Sequence, residues 1–283
     1  MRRRFFQVDV FGAEPFLGNP LAVVRDADGL TTEQMQAFTR WANLSECTFL
    51  LPPTSPDADY RVRIFTLARE MPFAGHPTLG SCRAWLAAGG IPQQADVVVQ
   101  ECGAGLVPVR IVEGGLAFGA PPLIRSGPVE DAYRARVVEI LRLAADQVVD
   151  IAWIDNGPGW VGVLVPDAAT VLGLEPDRSP HTGPGSVDIG VVGPHPDGHD
   201  PAFELRAFYS GAHGEIREDP VTGSLNASVA QWLISCGRAT APYRAGQGAA
   251  LGRRGRVHID QDAAGTIWVG GAATVCIDGW TTI

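Results

Sequence analysis

The amino-acid sequence predicts an α+β protein built from two similar halves. Three observations lead there. The chain has 283 residues, enough for two medium-sized domains with a core each. Short strand patterns alternate with helical ones along its whole length. The order strand, acidic residue, proline, glycine, helix occurs twice.

The first half opens at residues 5–11, Phe-Phe-Gln-Val-Asp-Val-Phe, which alternate as a strand does. Gly18-Asn19-Pro20 marks a turn before a second strand, Leu21 to Val24. Thr32 is a candidate N-cap, followed at helical spacing by Met35, Phe38, Thr39 and Ala42. Strands are expected at 47–51 and 59–66. In the second of these, Tyr60, Val62, Ile64 and Thr66 alternate with Arg61, Arg63 and Phe65. A helix over 78–88 stops at Gly89-Gly90, and strands follow at 97–101, 106–112 and 115–118.

Ala120-Pro121-Pro122 and the polar stretch after it read as a boundary. The second half brings an amphipathic helix over 131–145, a strand at 161–165 and a short helix over 168–174. Loops are expected at 176–186 and 194–201, strands at 189–192 and 203–209, and a helix over 224–235 ending at Gly237. The remainder, around Val257-His258-Ile259 and Ile267-Trp268-Val269, is β-rich.

Residues 74–86 lie against 221–233 at a constant offset of 147, which pairs Ser81 with Ser228, Trp85 with Trp232 and Leu86 with Leu233. Ahead of these helices stand Glu70 and Pro72, then Asp219 and Pro220. Ahead of those stand Arg63 and Phe65, then Arg206 and Phe208. The shared order points to a duplicated unit.

The composition excludes several classes. Hydrophobic residues make up 46% and charged residues 19%, as in ordinary globular chains. The formal net charge of −9 argues against nucleic acid as a partner, because phosphate binding needs clustered Lys and Arg. Arg2 to Arg4 and Arg253-Arg254 are the densest basic clusters and read as solvated charge. No apolar run is long enough for a membrane span, and no targeting segment is visible. The five cysteines, Cys47, Cys82, Cys102, Cys236 and Cys276, are odd in number and widely spaced. That argues against a disulfide framework and a zinc site and favours a cytoplasmic location. His181, His195, His199, His213 and His258 lie mainly in loops and lack metal-ligand spacing.

Each half sets a glycine-bearing loop directly before a helix. The first N–H groups of a helix lack internal partners and carry the positive end of its dipole, so such an end binds carboxylate or phosphate. Two of them facing each other across a cleft would hold a small acid without a basic patch. The plain alternative is a pair of ordinary helix caps. Ionisable residues crowd the same loops. Glu46 follows Asn43-Leu44-Ser45 between apolar neighbours, where burial would suit it to proton transfer. His76 sits at a helix entrance, where the dipole favours neutral imidazole. Asp219 precedes the second helix, where its charge would be stabilised.

These segments carry a resemblance. Val8-Asp9-Val10-Phe11, Gly18-Asn19-Pro20, Leu44-Ser45-Glu46, Phe73-Ala74-Gly75-His76-Pro77-Thr78 and Glu218-Asp219-Pro220-Val221-Thr222-Gly223-Ser224 closely resemble the PhzF-like family, named for the phenazine biosynthesis isomerase. So do Gln247-Gly248, Leu251-Gly252-Arg253 and Val269-Gly270-Gly271. The chain departs from the family pattern at Leu67, where proline is usual, and at Cys47, where threonine is common.

The resemblance implies a diaminopimelate epimerase-like fold: two pseudo-symmetric halves, each a curled β-sheet around a central helix starting near Thr78 and Ser224. The first half would span 1–119, completed by 266–283, and the second 120–265. The site would lie between them, with Glu46, His76 and Asp219 as catalytic residues. Asn19, Ser45, Gly75, Thr222, Gly223 and Ser224 would bind the substrate, a small carboxylate, with no metal or cofactor. A homodimer is the family expectation. The two-cysteine racemisation of the fold's epimerases is excluded, because His76 and the Thr222-Gly223 step stand where those cysteines would. The implied activity is a proton-moving isomerase. The alternatives are a C–C bond hydrolase of the alkylproline-pathway type and a non-catalytic binder of small acids.

Overall fold

Phe6, Val8 and Val10 are buried along the opening strand, and the first half of the chain is organised around it. The structure is a computed structural model describing residues 1–180, 186–211 and 214–283. Strand β1 (Arg2–Val10) pairs antiparallel with β2 (Asn19–Val24). The chain crosses through α1 (Thr32–Ala42) so that β3 (Glu46–Leu51) lies parallel to β2. β4 (Tyr60–Thr66) returns antiparallel to β3, and the short β5 (Glu70–Met71) folds back onto its end. α2 (Gly75–Ala87) follows. β6 (Val97–Cys102) then lies parallel to β4, and hairpins add β7 (Gly105–Val112) and β8 (Gly115–Gly119).

α2 contacts β1, β2, β3, β4, β6, β7 and β8, so the sheet curls around this one helix. α1 covers the outer face, where Met35 packs with Ala22, Val24, Cys47, Phe49 and Phe65. A strand covered on both faces has no solvent side, which explains why Leu21 to Val24 are buried at every position.

The second half repeats the plan. Its elements are β9 (Arg125–Pro128), α3 (Asp131–Leu141), β10 (Asp150–Asp155), β11 (Trp160–Leu164), α4 (Ala168–Leu172), β12 (Asp188–Pro194), β13 (Phe203–Ser210), β14 (Ile216–Asp219), α5 (Gly223–Ser235), β15 (Tyr243–Gln247), β16 (Gly255–Gln261) and β17 (Ile267–Gly271). β11 and β12 are parallel, β13 is antiparallel to β12, β15 is parallel to β13, and β14 folds back onto β13. α5 contacts β10, β11, β12 and β16. α3 and α4 cover the outer face through Val137, Ile140, Leu141 and Val171. The last strand, β18 (Ala273–Thr282), pairs antiparallel with β1. The chain divides into two units, Met1–Gly119 with Gly270–Ile283, and Ala120–Val269. The fold class is α+β.

Several sequence expectations are corrected. The cap of α1 is Thr31, whose side chain accepts from Gln34 N while the Gln34 side chain accepts from Thr31 N. α2 begins at Gly75, three residues before the expected Thr78, because Pro77 fits a first helical turn, where a missing N–H costs nothing. α5 begins at Gly223. α3 stops at Leu141 because Arg142 turns left-handed, with φ 54°. Strands β5, β9, β10 and β14 were not anticipated. Arg3 is buried rather than solvated, and its guanidinium donates to the carbonyls of Asp26 and Asp28. His181, His213 and part of the 176–186 loop lie outside the described residues.

The internal repeat also shifts by one residue. α2 and α5 begin at an offset of 148, Gly75 against Gly223, and the outward positions Arg83 and Ala87 of α2 then match Gln231 and Ser235 of α5. The Trp-Leu coincidence at 147 is accidental. The acid equivalent to Glu70 is Glu218, not Asp219: Phe65 faces Glu70 across one hairpin, and Phe208 faces Glu218 across the other.

Candidate active site

In the first unit three sequence-predicted residues meet. Gly18 N donates to both carboxylate oxygens of buried Asp9 at 3.0 Å, which pins the turn that starts β2. Asn19, the first residue of β2, is thereby fully buried. α1 ends at Asn43 in the left-handed conformation, and the chain turns through Ser45 into Glu46, the first residue of β3. His76 is the second residue of α2.

Asn19 Nδ2 lies 3.3 Å from His76 Nδ1. An amide nitrogen can only donate, so Nδ1 accepts and the neutral ring carries its proton on Nε2. That nitrogen faces Glu46 Oε2 at 3.5 Å, close enough for an electrostatic contact but without hydrogen-bond geometry. Burial alone pushes the imidazole down from 6.5 to about 3, so it is neutral throughout the physiological range. Burial, rather than the helix dipole expected from the sequence, is what keeps the ring neutral. The His76 side chain is 5% exposed and that of Glu46 19%, so Glu46 is the more accessible of the two.

In the second unit Asp219 ends β14, Thr222 is the N-cap of α5, and Gly223 and Ser224 open the helix. The Thr222 hydroxyl donates to Asp219 Oδ2. Ser224 is tied down from the β10–β11 side: Trp160 Nε1 donates to its hydroxyl at 3.1 Å, and Asn156 Nδ2 to its carbonyl at 3.0 Å. Gln247 and Asn226 complete the surroundings of Thr222. Gln247-Gly248 stood out in the sequence as a motif without a role. Asn156, Trp160 and Asn226 gave no signal, since their contacts span long stretches of chain.

The central helices α2 and α5 lack the side-chain caps that α1 and α4 carry, as does α3, whose N-cap Glu130 makes no such bond. Thr31 caps α1, and Asp167 caps α4 by accepting from Thr170 N. Ala74 and Thr222, the N-caps of α2 and α5, supply no side-chain bond to their helices. The thiols nearest these elements are silent. Burial pushes both Cys47 and Cys82 up to about 12, far from thiolate formation at neutral pH. Among the described residues no cluster of His, Cys, Asp and Glu could hold a metal ion, and no helix is long and apolar enough to cross a membrane.

Curled sheets around paired central helices define a protein of the diaminopimelate epimerase-like α+β class. Within it, the chain belongs to the PhzC-PhzF family, described as phenazine biosynthesis-like protein, whose model matches residues 8–279. This is a family of isomerases and epimerases. The chain is 34% identical to antisense-enhancing sequence 1 of Schizosaccharomyces pombe, over 97% of each chain. It is 32% identical to trans-2,3-dihydro-3-hydroxyanthranilate isomerase of Pseudomonas aeruginosa, over 93% of this chain and 91% of that one. In fold it is similar to the PhzF-family phenazine biosynthesis protein of Bacillus anthracis, with a TM-score of 0.80, 23% identity and full coverage of both chains.

Proposed function

We propose that this protein is a cofactor-independent isomerase that moves a proton on a small unsaturated or cyclic carboxylic acid, with Glu46 as general base and then general acid. The observation that carries the reading is the buried, neutral His76 turned toward the Glu46 carboxylate. A neutral imidazole with its proton on Nε2 offers a hydrogen bond without competing for the proton. Glu46 is accessible enough to trade a proton with a ligand, which a fully enclosed carboxylate is not. Asn19 sets the tautomer, as ring-orienting partners do elsewhere. His76 and Asp219 orient the substrate and stabilise or relay charge. Backbone N–H groups at Gly75, Gly223 and Ser224 receive the carboxylate, while Ser45 and Thr222 add polar contacts.

The test uses heavy water and a panel of cyclic unsaturated acids that includes trans-2,3-dihydro-3-hydroxyanthranilate, the substrate in the name of the Pseudomonas relative. An isomerase returns product of the same composition, with deuterium in place of one carbon-bound hydrogen. A C–C hydrolase would instead add water and release two fragments, and a binder would exchange nothing. Glu46→Gln should slow turnover by roughly two to four orders of magnitude. Wild-type turnover by Glu46→Gln would refute the assignment.

A further inference from the structure

We infer that Gln247 is a positioning residue: it sets the direction of the Thr222 hydroxyl and through it holds Asp219 Oδ2 as an acceptor. The inference rests on the reading of Asp219 as a catalytic group, but its geometry stands apart from that reading.

Gln247 is 1% exposed and ends β15, which shares one edge of β13 with β14 because β12 fills the other. Its Oε1 accepts from Thr222 N at 3.0 Å and from Asn226 Nδ2 at 2.9 Å. Its Nε2 donates to the Asp219 carbonyl at 3.2 Å and lies 3.0 Å from Thr222 Oγ1. A backbone N–H only donates and a backbone carbonyl only accepts. These two partners therefore fix which end of the amide is oxygen, with no freedom to flip.

The rest follows in one direction. Because Nε2 is a donor, Thr222 Oγ1 must accept from it. A hydroxyl has one proton, and this one is left to go to Asp219 Oδ2, the other close partner of Oγ1. A relay of Gln247 to Thr222 to Asp219 thus leaves Oδ2 the accepting role only. The backbone locks the same arrangement. Gly248 has φ +97°, and a Cβ there would lie 2.6 Å from the Pro220 carbonyl oxygen, so the strand end is pressed under the turn that carries Asp219. Asn226 Nδ2 also donates to the Thr222 carbonyl at 2.9 Å, which closes the ring of bonds around Thr222.

Gln247→Glu tests this, because it keeps the acceptor for Thr222 N and Asn226 and removes the donor to Oγ1. The Thr222 hydroxyl is then free to turn toward residue 247 and away from Asp219. The readout is the side-chain hydroxyl proton of Thr222 in proton NMR at neutral pH, identified by its absence in Thr222→Val. In the wild type it should exchange slowly and show a cross-relaxation contact to Asp219. In Gln247→Glu the contact to Asp219 should be lost while the backbone amide spectrum stays native-like. Thr222→Ser keeps a hydroxyl and should keep the contact. If Gln247→Glu does not fold, Gln247→Met removes both polar ends at similar size and should broaden or lose the slow proton. An unchanged Asp219 contact in a folded Gln247 variant, or no slow proton in the wild type, overturns the inference. Turnover read in parallel separates the two ideas. Loss of the contact with full turnover would leave Gln247 in place and remove Asp219 from the reaction; loss of both supports each.

Discussion

Arg63 and Arg206 stand at the same point of the two halves and make the same bonds in different surroundings. Each reaches across a hairpin to a glutamate with two nitrogens: Arg63 to Glu70 at 2.7 and 2.6 Å, and Arg206 to Glu218 at 2.8 Å twice. Each stacks over the phenylalanine two residues on, at 5.1 and 5.0 Å. The side chains of the first pair are 27% and 38% exposed, those of the second 4% and 1%. Arg206 also donates to the carbonyls of Val171 and Leu174 at the end of α4. The repeat therefore keeps the geometry and changes the burial. An identical motif is a surface clasp in one unit and an internal strut in the other.

The sharpest way to break the comparison is to remove the acids. Glu218→Ala leaves a buried guanidinium without its carboxylate and should lower stability by about 3–5 kcal/mol. Glu70→Ala, at a partly exposed pair, should cost about 0–1 kcal/mol. Chemical denaturation of both variants checks the contrast, and equal losses would refute it.

A second contrast is smaller. Each half tucks a glycine under the proline that precedes its central helix: Gly103 under Pro72, where a Cβ would lie 2.7 Å from Cα, and Gly248 under Pro220. Gly248 alone of the two has a positive φ. Gly248→Ala therefore meets both crowding and backbone strain and should lose about 1–3 kcal/mol more than Gly103→Ala. The shift in denaturation midpoint at constant slope measures it.

The smallest effect near neutral pH separates the helix entrances, because His76 in the first has no titrating counterpart at Ser224. Burial lowers the folded-state value of His76 from 6.5 to about 3, so the fold favours the neutral ring. The stability this contributes is fully present above pH 6.5. It is lost as pH falls from there toward 3, at up to about 1.4 kcal/mol per pH unit. His76→Gln should flatten the acid limb of the stability curve in that window. Hydrogen exchange should show α2 losing protection before α5 as the wild type is acidified.

The class of fold was legible because it depends on local pattern. β1 and β4 announce themselves by alternation, and α1 by spacing. What escaped was set by contact or by conformation that side-chain type does not reveal. Nothing in Arg142 marks a left-handed stop, so the amphipathic pattern runs past the end of α3. β5 and β14 are too short to show a period. The one-residue error in the repeat arose because Trp85 and Trp232 coincide in type while helix starts and burial align at the next position. The candidate site residues were readable as motifs, through resemblance. Their mutual contacts were not: Asn19 and His76 are 57 residues apart, and Gln247 and Thr222 are 25 apart.

The missing caps on α2 and α5 make folding itself an instrument. A side-chain cap is worth about 1 kcal/mol, and neither central helix draws on one. A small acid that settles against such an end binds the native chain and not the unfolded one. By mass action it raises the melting temperature with the logarithm of its excess over the dissociation constant, reaching about 2.7 kcal/mol of stabilisation at a hundredfold excess. Melting the protein against a library of carboxylic acids would thus rank ligands before any reaction is known, and Gly223→Val, with its helix entrance blocked, would tell true occupants from bystanders.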